Sequence, residues 1–231
     1  MDDRGAPAVD RSHIRLFRFR PIHPAFDRTL REVMIPDLAS CPGIRAIHVG
    51  RQGPDEIGER VVASVWASRA AMAAAVGESF EHPRFHPEYM DETTDKRLDI
   101  VPLRFAIEPS VPVDERVVRL VFGRTRPGAI VEYADEVEQG TRADIAAGTG
   151  PRALYLGVAG DDRFVTVSVW GHWSAIARAT GGSVLSPNAT RHDELLLEWS
   201  VAHYEAVPLE PATDAASVTV ERSSLAEAEP A

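Results

Sequence analysis

Alternating apolar and polar positions recur along this chain in two copies of one series. The segment Val61–Trp66 alternates in this way, and a closely similar segment, Val165–Trp170, follows at an offset of 104 residues. Two further blocks are matched in the same order, so the sequence predicts an internal duplication. The matched blocks are 61–66 with 165–170, 14–16 with 118–120, and, slightly shifted, 45–50 with 152–157.

Each copy is predicted to contain a strand, a helix, two strands, a helix and a final strand. Alternation indicates the strands. Pro24 and Pro127 are placed at helix starts, where the missing N–H would have no partner, and Gly43 and Gly150 mark helix ends. The predicted strands are 13–20, 44–50, 59–66 and 99–107, then 116–124, 152–158, 163–170 and 198–207; the predicted helices are 24–40, 68–76, 128–147 and 172–180.

This order is that of the ferredoxin-like β-α-β-β-α-β unit, whose sheet carries helices on one face only. Pairing two such sheets through their open faces covers both, so the sequence predicts an α+β fold in which tandem repeats form an intramolecular α/β barrel. The predicted ranges are a disordered N-terminus at 1–11, a first repeat at 12–108, a linker at 109–114, a second repeat at 115–209 and a disordered acidic tail at 210–231.

Charge and cysteine content narrow the classes of function. The formal net charge of -10 disfavours nucleic acid and anionic membranes as partners, because both need a surplus of basic residues. Cys41 is the one cysteine, so no intramolecular disulfide forms. The charged N-terminus lacks a secretory signal and no apolar run is long enough to cross a membrane, so we expect a cytoplasmic protein.

Several motifs resemble those of the dimeric α/β-barrel superfamily, in particular the antibiotic biosynthesis monooxygenases. In the first copy they are Ser64–Ser68, followed by an Ala-rich helix, and His82–Phe85. In the second copy they are Arg126–Gly128 and Ser168–Trp170. The resemblance covers nearly all of the predicted folded part. It implies a barrel that hosts either cofactor-free oxygenation of polyketide quinones or, in related enzymes, haem degradation.

The residues expected of the haem-degrading branch are missing. That branch uses an Asn on the first strand, a Trp on the second helix and a downstream His. The matching positions here hold Arg18 and Phe122, about Ala75 and Ala179, and residues near Tyr89 and Asp193; Asn188 is the one asparagine. No cofactor is therefore expected.

Alternation also assigns strand faces, because successive side chains point to opposite sides. On the third strands the uniformly apolar set is predicted to pack against helices and the more polar set to face the space between the sheets. The apolar set is Val61, Ala63, Val65, Val165, Val167 and Val169; the polar set is Val62, Ser64, Trp66, Thr166, Ser168 and Trp170. The first-strand set predicted to face that space is Ile14, Leu16, Arg18, Arg20, Val118, Leu120, Phe122 and Arg124.

A space lined in this way predicts a site for an aromatic anion. Arginines suit a phenolate or carboxylate, and a His and a Tyr at equivalent places on the second strands suit an acid/base pair. The candidate catalytic residues are His48, Tyr155, Arg18 and Arg20; the candidate substrate-binding residues are Trp66, Ser64, Phe122, Arg124, Ser168, Trp170 and His203. Alternatively, the arginines lie at strand ends in solvent and the tryptophans are packing anchors.

His82 and His86 have the spacing of two metal ligands, with Glu88 nearby. Pro83 and Pro87 interrupt any helix there, so a solvated loop without a metal is the expectation.

Three functions remain open. The first is a monooxygenase-like small-molecule enzyme acting on an aromatic or polyketide-like substrate in the barrel lumen. The second is a non-catalytic ligand-binding or stress-associated barrel, and the third is haem binding or degradation. The expected partners are a small-molecule substrate or ligand, with no nucleic acid and no membrane. Either a monomer or a homodimer is compatible, because the fused repeats close the barrel within one chain.

Overall fold

A computed structural model describes residues 11–53, 57–77, 91–108, 116–187 and 193–208. The first half of the chain contains strands β1 (His13–Pro21), β2 (Ile44–Arg51), β3 (Arg60–Trp66) and β4 (Thr93–Ile107). The second half contains β5 (Val117–Thr125), β6 (Ala153–Ala159), β7 (Arg163–Trp170) and β8 (Leu196–Ala206). All eight predicted strands are present; β4 begins six residues before its predicted start.

Helices follow the first and third strands of each half. The helices are α1 (Phe26–Thr29), α2 (Ile35–Ala39), α3 (Arg69–Val76), α4 (Ile130–Ala146) and α5 (Trp173–Ala179), and a π-helical segment, Leu30–Met34, joins α1 to α2. Pro36 lacks the N–H that an α-helix would give to residue 32, and the wider π turn accommodates this loss. Ser68 caps α3 by accepting a hydrogen bond from the Ala71 N–H at 3.0 Å.

The eight strands form one closed barrel in the order β1-β3-β2-β8-β5-β7-β6-β4. The two halves have equivalent registers: Ile14 pairs with Val65 on β3, and Val118 pairs with Val169 on β7. The halves meet where β2 pairs with β8 and where β4 pairs with β6. The α+β class and the barrel arrangement predicted from the sequence are therefore confirmed.

The barrel lumen is the space enclosed by the strands, and it is filled largely by apolar side chains. One buried cluster draws on every strand except β2, whose Ala46 packs against it, and on no helix, which identifies it as the lumen. Its buried members are Ile14, Leu16, Val61, Ala63, Val65, Val101, Leu103, Val118, Leu120, Ala153, Tyr155, Val165, Val167, Val169 and Tyr204. Close-packed apolar side chains in this space hold the two halves together.

The opposite side of the sheet, here called the helix face, carries clusters that include helical residues. In the first half one continuous cluster joins Phe17, Phe19 and Trp66 to residues of α1, α2 and α3. In the second half the equivalent surface is divided into two clusters, one around Tyr133 of α4 and one around Ile176 of α5. The second helix face is therefore less completely filled than the first.

The predicted faces are confirmed for the first strands and wrong for the third strands. Val61, Ala63, Val65, Val165, Val167 and Val169 fill the lumen, whereas Val62, Ser64, Trp66, Thr166, Ser168 and Trp170 lie on the helix face. Directly paired residues share a face, so Ile14 in the lumen brings its partner Val65 with it. Polarity misled the prediction because the two serines satisfy their hydrogen bonds locally. Ser168 accepts from the Trp170 Nε1 at 2.9 Å and donates to the Arg119 carbonyl at 3.4 Å.

Several predictions lie outside the described residues. They concern the predicted N-terminus at 1–11 except Arg11, the predicted linker at 109–114, the predicted tail at 210–231, the loop bearing His82, His86 and Glu88, and Asn188.

Candidate functional site

A cavity of about 320 Å³ lies on the helix face of the second half, between α4, the outer side of β7 and the end of α5. We call it the helix-face cavity. Its volume is at the lower end of the range for small-molecule sites. Val137, Leu154 and Trp170 provide apolar wall, and Arg119, Thr166 and Ser168 provide polar floor.

Arg119 is the dominant charge of this cavity. The residue is only 4% exposed, and burial lowers the pKa of its guanidinium to about 10, so the group remains charged at neutral pH. Nη1 donates to the Pro187 carbonyl at 3.2 Å and Nη2 donates to the Ser186 carbonyl. Nε is buried and has no hydrogen-bond partner among the described residues. A buried cation held by neutral carbonyls alone favours an anion beside it.

The strand register places Arg119 in a row of paired polar side chains. Arg119 pairs with Ser168 on one side and with His203 on the other. The His203 Nε2 is buried and without a hydrogen-bond partner among the described residues, and the ring lies against Trp173 with centroids 5.0 Å apart. Burial, assisted by the charge of Arg119, lowers the pKa of His203 to about 4. His203 is therefore neutral near pH 7 and does not compete with Arg119 for an anion.

Three further charged residues border the cavity, and one of them is Asp144, an exposed residue of α4. Glu136 of α4 lines it as a half-buried side chain, and Arg178 near the end of α5 lines it as an exposed one. A carboxylate on one wall and a buried guanidinium on the floor can take complementary roles when a bound molecule loses a proton. Glu136 is suited to accept a proton and Arg119 to stabilise the anion that remains.

The first half contains the same row of paired residues. Among the cavities described, none equivalent to the helix-face cavity is lined by that row. Arg15 pairs with Ser64 and with Ile100, as Arg119 pairs with Ser168 and His203. Burial lowers the pKa of Arg15 to about 10 as well, and its Nε and Nη2 have no partner among the described residues. Ile100 replaces the histidine, and the surrounding helix face is packed as one cluster. Arg15 is therefore a natural internal control for Arg119.

The predicted acid/base pair does come together, in the lumen. The His48 Nε2 lies 3.2 Å from the Tyr155 hydroxyl, and both side chains are buried. Tyr155 belongs to the apolar cluster that fills the lumen, so the pair is surrounded by packed side chains. Its catalytic role stays a prediction.

The predicted lumen arginines differ in position. Arg18 reaches the end of the lumen, where it lies 4.5 Å from the Phe122 ring centroid and donates to Asp99 at 2.9 Å. Arg20 and Arg124 are at strand ends and about half exposed, as the alternative interpretation expected. Arg20 pairs with Asp95, and Arg124 pairs with Asp162 and Glu198.

A second cavity, of about 590 Å³, lies between β4 and residues of β5, β7 and β8, with Ala159 from β6. We call it the junction cavity because it lies beside the β4–β6 junction. Phe122 and Arg124 line it, as predicted for substrate-binding residues, together with Val101 and Arg163. The structure thus distributes the predicted binding residues between two separate cavities.

The other predicted binding residues do not face the lumen. Ser64 and Trp66 are fully buried on the first helix face, whereas Ser168 and Trp170 line the helix-face cavity. His203 was predicted to reach the lumen, and this is wrong. Its neighbour Tyr204 occupies the lumen, so alternation turns His203 to the helix face.

Arg119 and Glu136 were not singled out by sequence reasoning. A signal for Arg119 was present, because an arginine interrupts the apolar first strand at the same place in both copies, as Arg15 and Arg119. A charged residue retained at matched positions of a duplicated strand deserves a functional hypothesis. Nothing in the periodicity of α4 distinguishes Glu136 from the other acidic residues of that helix.

The residues of the helix-face cavity do not fit a haem. Among its described lining residues there is no His, Cys, Met or Tyr that could serve as an axial ligand. Among the described residues, no group of three or more His, Cys, Asp or Glu side chains is arranged to hold a metal ion. None of the described helices has the length and apolar character needed to cross a membrane.

Comparison with known proteins gives fold-level matches. No known family profile and no curated protein matches the chain. A solved structure of a candidate monooxygenase from Lactobacillus acidophilus is 12% identical, covers 85% of this chain and 94% of its own, and superposes with a TM-score of 0.67. A candidate chlorite dismutase matches at 12% identity, with 87% and 96% covered and a TM-score of 0.59. An anthrone oxidase-like protein matches at 16% identity, with 87% and 93% covered and a TM-score of 0.55.

At these identities the matches establish architecture and leave the chemistry to the site. They agree with the closed eight-stranded barrel and with the resemblance seen in the motifs. The chain has the dimeric α/β-barrel fold shared by monooxygenase-like and chlorite dismutase-like proteins.

Proposed function

We propose that the chain is a monooxygenase-like enzyme that oxidises a small aromatic substrate in the helix-face cavity. The observation that carries this proposal is the buried guanidinium of Arg119 on the cavity floor, with its Nε unpartnered among the described residues. The substrate class is an aromatic ketone or phenol with an acidic C–H, because such a molecule becomes an anion when it loses a proton. The likeness to a protein named as anthrone oxidase-like supports this class.

The proposed reaction begins with proton transfer. The substrate enters neutral, and Glu136 accepts a proton from its activated CH₂ group, so the carboxylate loses its own charge as the substrate gains one. Arg119 stabilises the resulting enolate. A fixed cation in a largely desolvated site acts more strongly than it would in water.

Molecular oxygen then reacts with the substrate anion. A C–O bond forms, the reduced oxygen takes back a proton, and the product of this step is a hydroperoxide. Loss of water breaks the O–O bond and the second C–H bond and leaves a ketone. Overall one CH₂ group and one O₂ give one C=O group and one water, so no further reductant is required. Val137, Leu154 and Trp170 give the anion an apolar surrounding.

The lumen is a weaker candidate for this chemistry. The His48–Tyr155 pair is buried among packed apolar side chains, and it lies on the other face of the sheet from Arg119. The helix-face cavity combines open volume with a buried guanidinium that forms no ion pair among the described residues, and both features favour a site for an anionic intermediate.

Oxygen uptake with anthrone as substrate tests the proposal. We expect anthraquinone formation by the wild type and a loss of at least about 100-fold in kcat/KM for Arg119→Gln, as for removal of a main electrostatic contact. Arg15→Gln, which changes the equivalent buried arginine of the first half, should keep the wild-type rate. Glu136→Gln should lower kcat more than it raises KM.

The outcomes separate the proposal from its alternatives. Equal rates for Arg119→Gln and the wild type, or equal losses for Arg119→Gln and Arg15→Gln, would contradict a catalytic site at Arg119. Binding of anthrone without oxygen uptake would favour the non-catalytic binding protein. A loss of activity in His48→Ala with Arg119→Gln unaffected would move the site to the lumen.

A further inference from the structure

The two junctions between the halves are equivalent in position, and their contents differ. At the β2–β8 junction, Tyr204 occupies the place that Val101 occupies at the β4–β6 junction, since Tyr204 pairs with Val118 and Val101 pairs with Ile14. A glycine faces each of them. A Cβ on Gly50 would lie 2.5 Å from the Tyr204 Cβ, and one on Gly157 would lie 2.8 Å from a Val101 methyl.

The β2–β8 junction is plugged by a tyrosine ring. Tyr204 is fully buried in the lumen, and its hydroxyl donates to Glu59, which also accepts from Arg97. The phenol therefore fills this end of the lumen and places its polar atom on a carboxylate. Burial and the neighbouring Glu59 raise the pKa of Tyr204 well above its usual value, so the ring stays neutral.

The β4–β6 junction lacks both parts of that plug. Val101 is smaller than the tyrosine, and Arg163 occupies the position equivalent to Glu59. Pro102 adds to the opening. Because Leu103 donates its N–H to Ser12 on the β1 side, position 102 faces β6, where a proline has no N–H to give. The pairing of β4 with β6 accordingly starts at Leu103, and the junction cavity opens beyond it.

The charges at this opening favour an anion. Arg124 and Arg163 are directly opposite each other on β5 and β7, an arrangement that is unfavourable without a counter-charge. Asp162 and Glu198 pair with Arg124, and Asp99 pairs with Arg18. Among the described residues Arg163 forms no ion pair, so it is the cation available to a ligand.

We infer that the junction cavity is a second binding site, for a small aromatic carboxylic acid. The ligand's ring takes the place that Tyr204 fills at the other junction, against Val101, Phe122 and Val165. Its carboxylate binds Arg163. In the Tyr204–Glu59 pair the ring carries the hydrogen-bond donor and the glutamate accepts. At the junction cavity Arg163 is the donor, so the ligand must carry the acceptor. This site is separate from the helix-face cavity and does not depend on oxidation there.

Titration calorimetry with naphthalene-1-carboxylate tests the site, with naphthalene-1-methanol as the uncharged control, near pH ~7 where the acid is ionised. We expect the acid to bind and the alcohol to bind at least about tenfold more weakly, as for loss of one charge-assisted contact. Arg163→Gln should weaken the acid by a similar factor. As a control, Arg104→Gln changes an exposed arginine that lies on β4 and outside the cavity, and it should have no effect on binding of the acid.

A filling variant provides an independent check. Val101→Tyr should abolish binding by placing a side-chain ring in the cavity. The double variant Val101→Tyr with Arg163→Glu rebuilds the pair found at the other junction, so it should fold at least as stably as Val101→Tyr and also fail to bind. The inference is wrong if the wild type does not bind the acid, or if Val101→Tyr or the double variant still binds it. It is also wrong if Arg119→Gln removes binding while Arg163→Gln does not.

Discussion

The two helix faces of this barrel have equivalent strand registers and differ in how completely they are filled. The first face packs Phe17 and Phe19, with ring centroids 4.9 Å apart, into a continuous cluster with its helices. The equivalent positions of the second face hold Val121 and Gly123. Both faces contain a buried arginine, and among the cavities lined by described residues one lies beside Arg119 and none beside Arg15. Under the proposed function the second half provides the site, and the first half is the more continuously packed of the two.

The same division is visible at single positions of the third strands. Val62 is fully buried in the first cluster, and its equivalent Thr166 lines the helix-face cavity. Ile100 is replaced by His203 in the row that contains the arginine. Thr166 is tolerated in the second half because its hydroxyl borders a cavity, whereas the His203 Nε2 is buried without a hydrogen-bond partner among the described residues.

The largest expected effect comes from giving the first half a residue of the second. Phe17→Val removes most of a buried ring from a packed cluster, so we expect a loss of about 2–4 kcal/mol in the free energy of unfolding. Urea denaturation measures this as a lower midpoint with an unchanged slope. A loss of less than about 1 kcal/mol in the free energy of unfolding would show that the first face is packed as loosely as the second, and would contradict the difference between them.

Reciprocal exchange at the third strands should be asymmetric. Val62→Thr buries a hydroxyl in a packed apolar cluster and should cost about 1–3 kcal/mol. Thr166→Val only replaces a hydroxyl that lines a cavity, and should change the free energy of unfolding by no more than about 0.5 kcal/mol. Equal costs for the two variants, from the same denaturation experiment, would contradict the difference in packing.

The smallest effect is a pH dependence confined to the second half. The pKa of His203 is lowered to about 4 by burial, chiefly, and by Arg119. Between pH 6.5 and 4, His203 is protonated in the unfolded chain and stays neutral in the folded chain. This residue therefore lowers the free energy of unfolding as the pH falls through that range. His203→Ile, which introduces the first-half residue, should flatten this part of the thermal stability profile and leave it unchanged above pH ~7. A wild-type slope in the variant would assign the effect to other groups.

The fold could be predicted because duplication repeats each weak signal. Two copies of Val61–Trp66 identify a strand more securely than one, and the order of the elements then restricts the architecture. The side of the sheet on which each strand residue lies was predicted less well. Judging the third strand by polarity ignored its register with the first strand, which requires Ile14 and Val65 to share a side.

The helix-face cavity could not be predicted because it depends on how completely side chains fill equivalent places in the two halves. Val62 and Thr166 are both acceptable residues in a strand, and only their surroundings in the folded chain show that the first is packed in a cluster and the second lines a cavity. The His48–Tyr155 contact was foreseen because equivalent positions on β2 and β6 face a common lumen. The charge of Arg119 could have been noticed, but its surroundings could not.

The central claim is that the second half, and not the first, holds an aromatic anion beside its buried arginine. A crystal structure of the protein grown with 1,8-dihydroxyanthraquinone, a product-like compound, tests it directly. We predict density for the compound in the helix-face cavity, with an oxygen atom within hydrogen-bonding distance of the Arg119 guanidinium and no density beside Arg15. Density beside Arg15, density only in the lumen, or an unoccupied helix-face cavity at saturating compound would contradict the account.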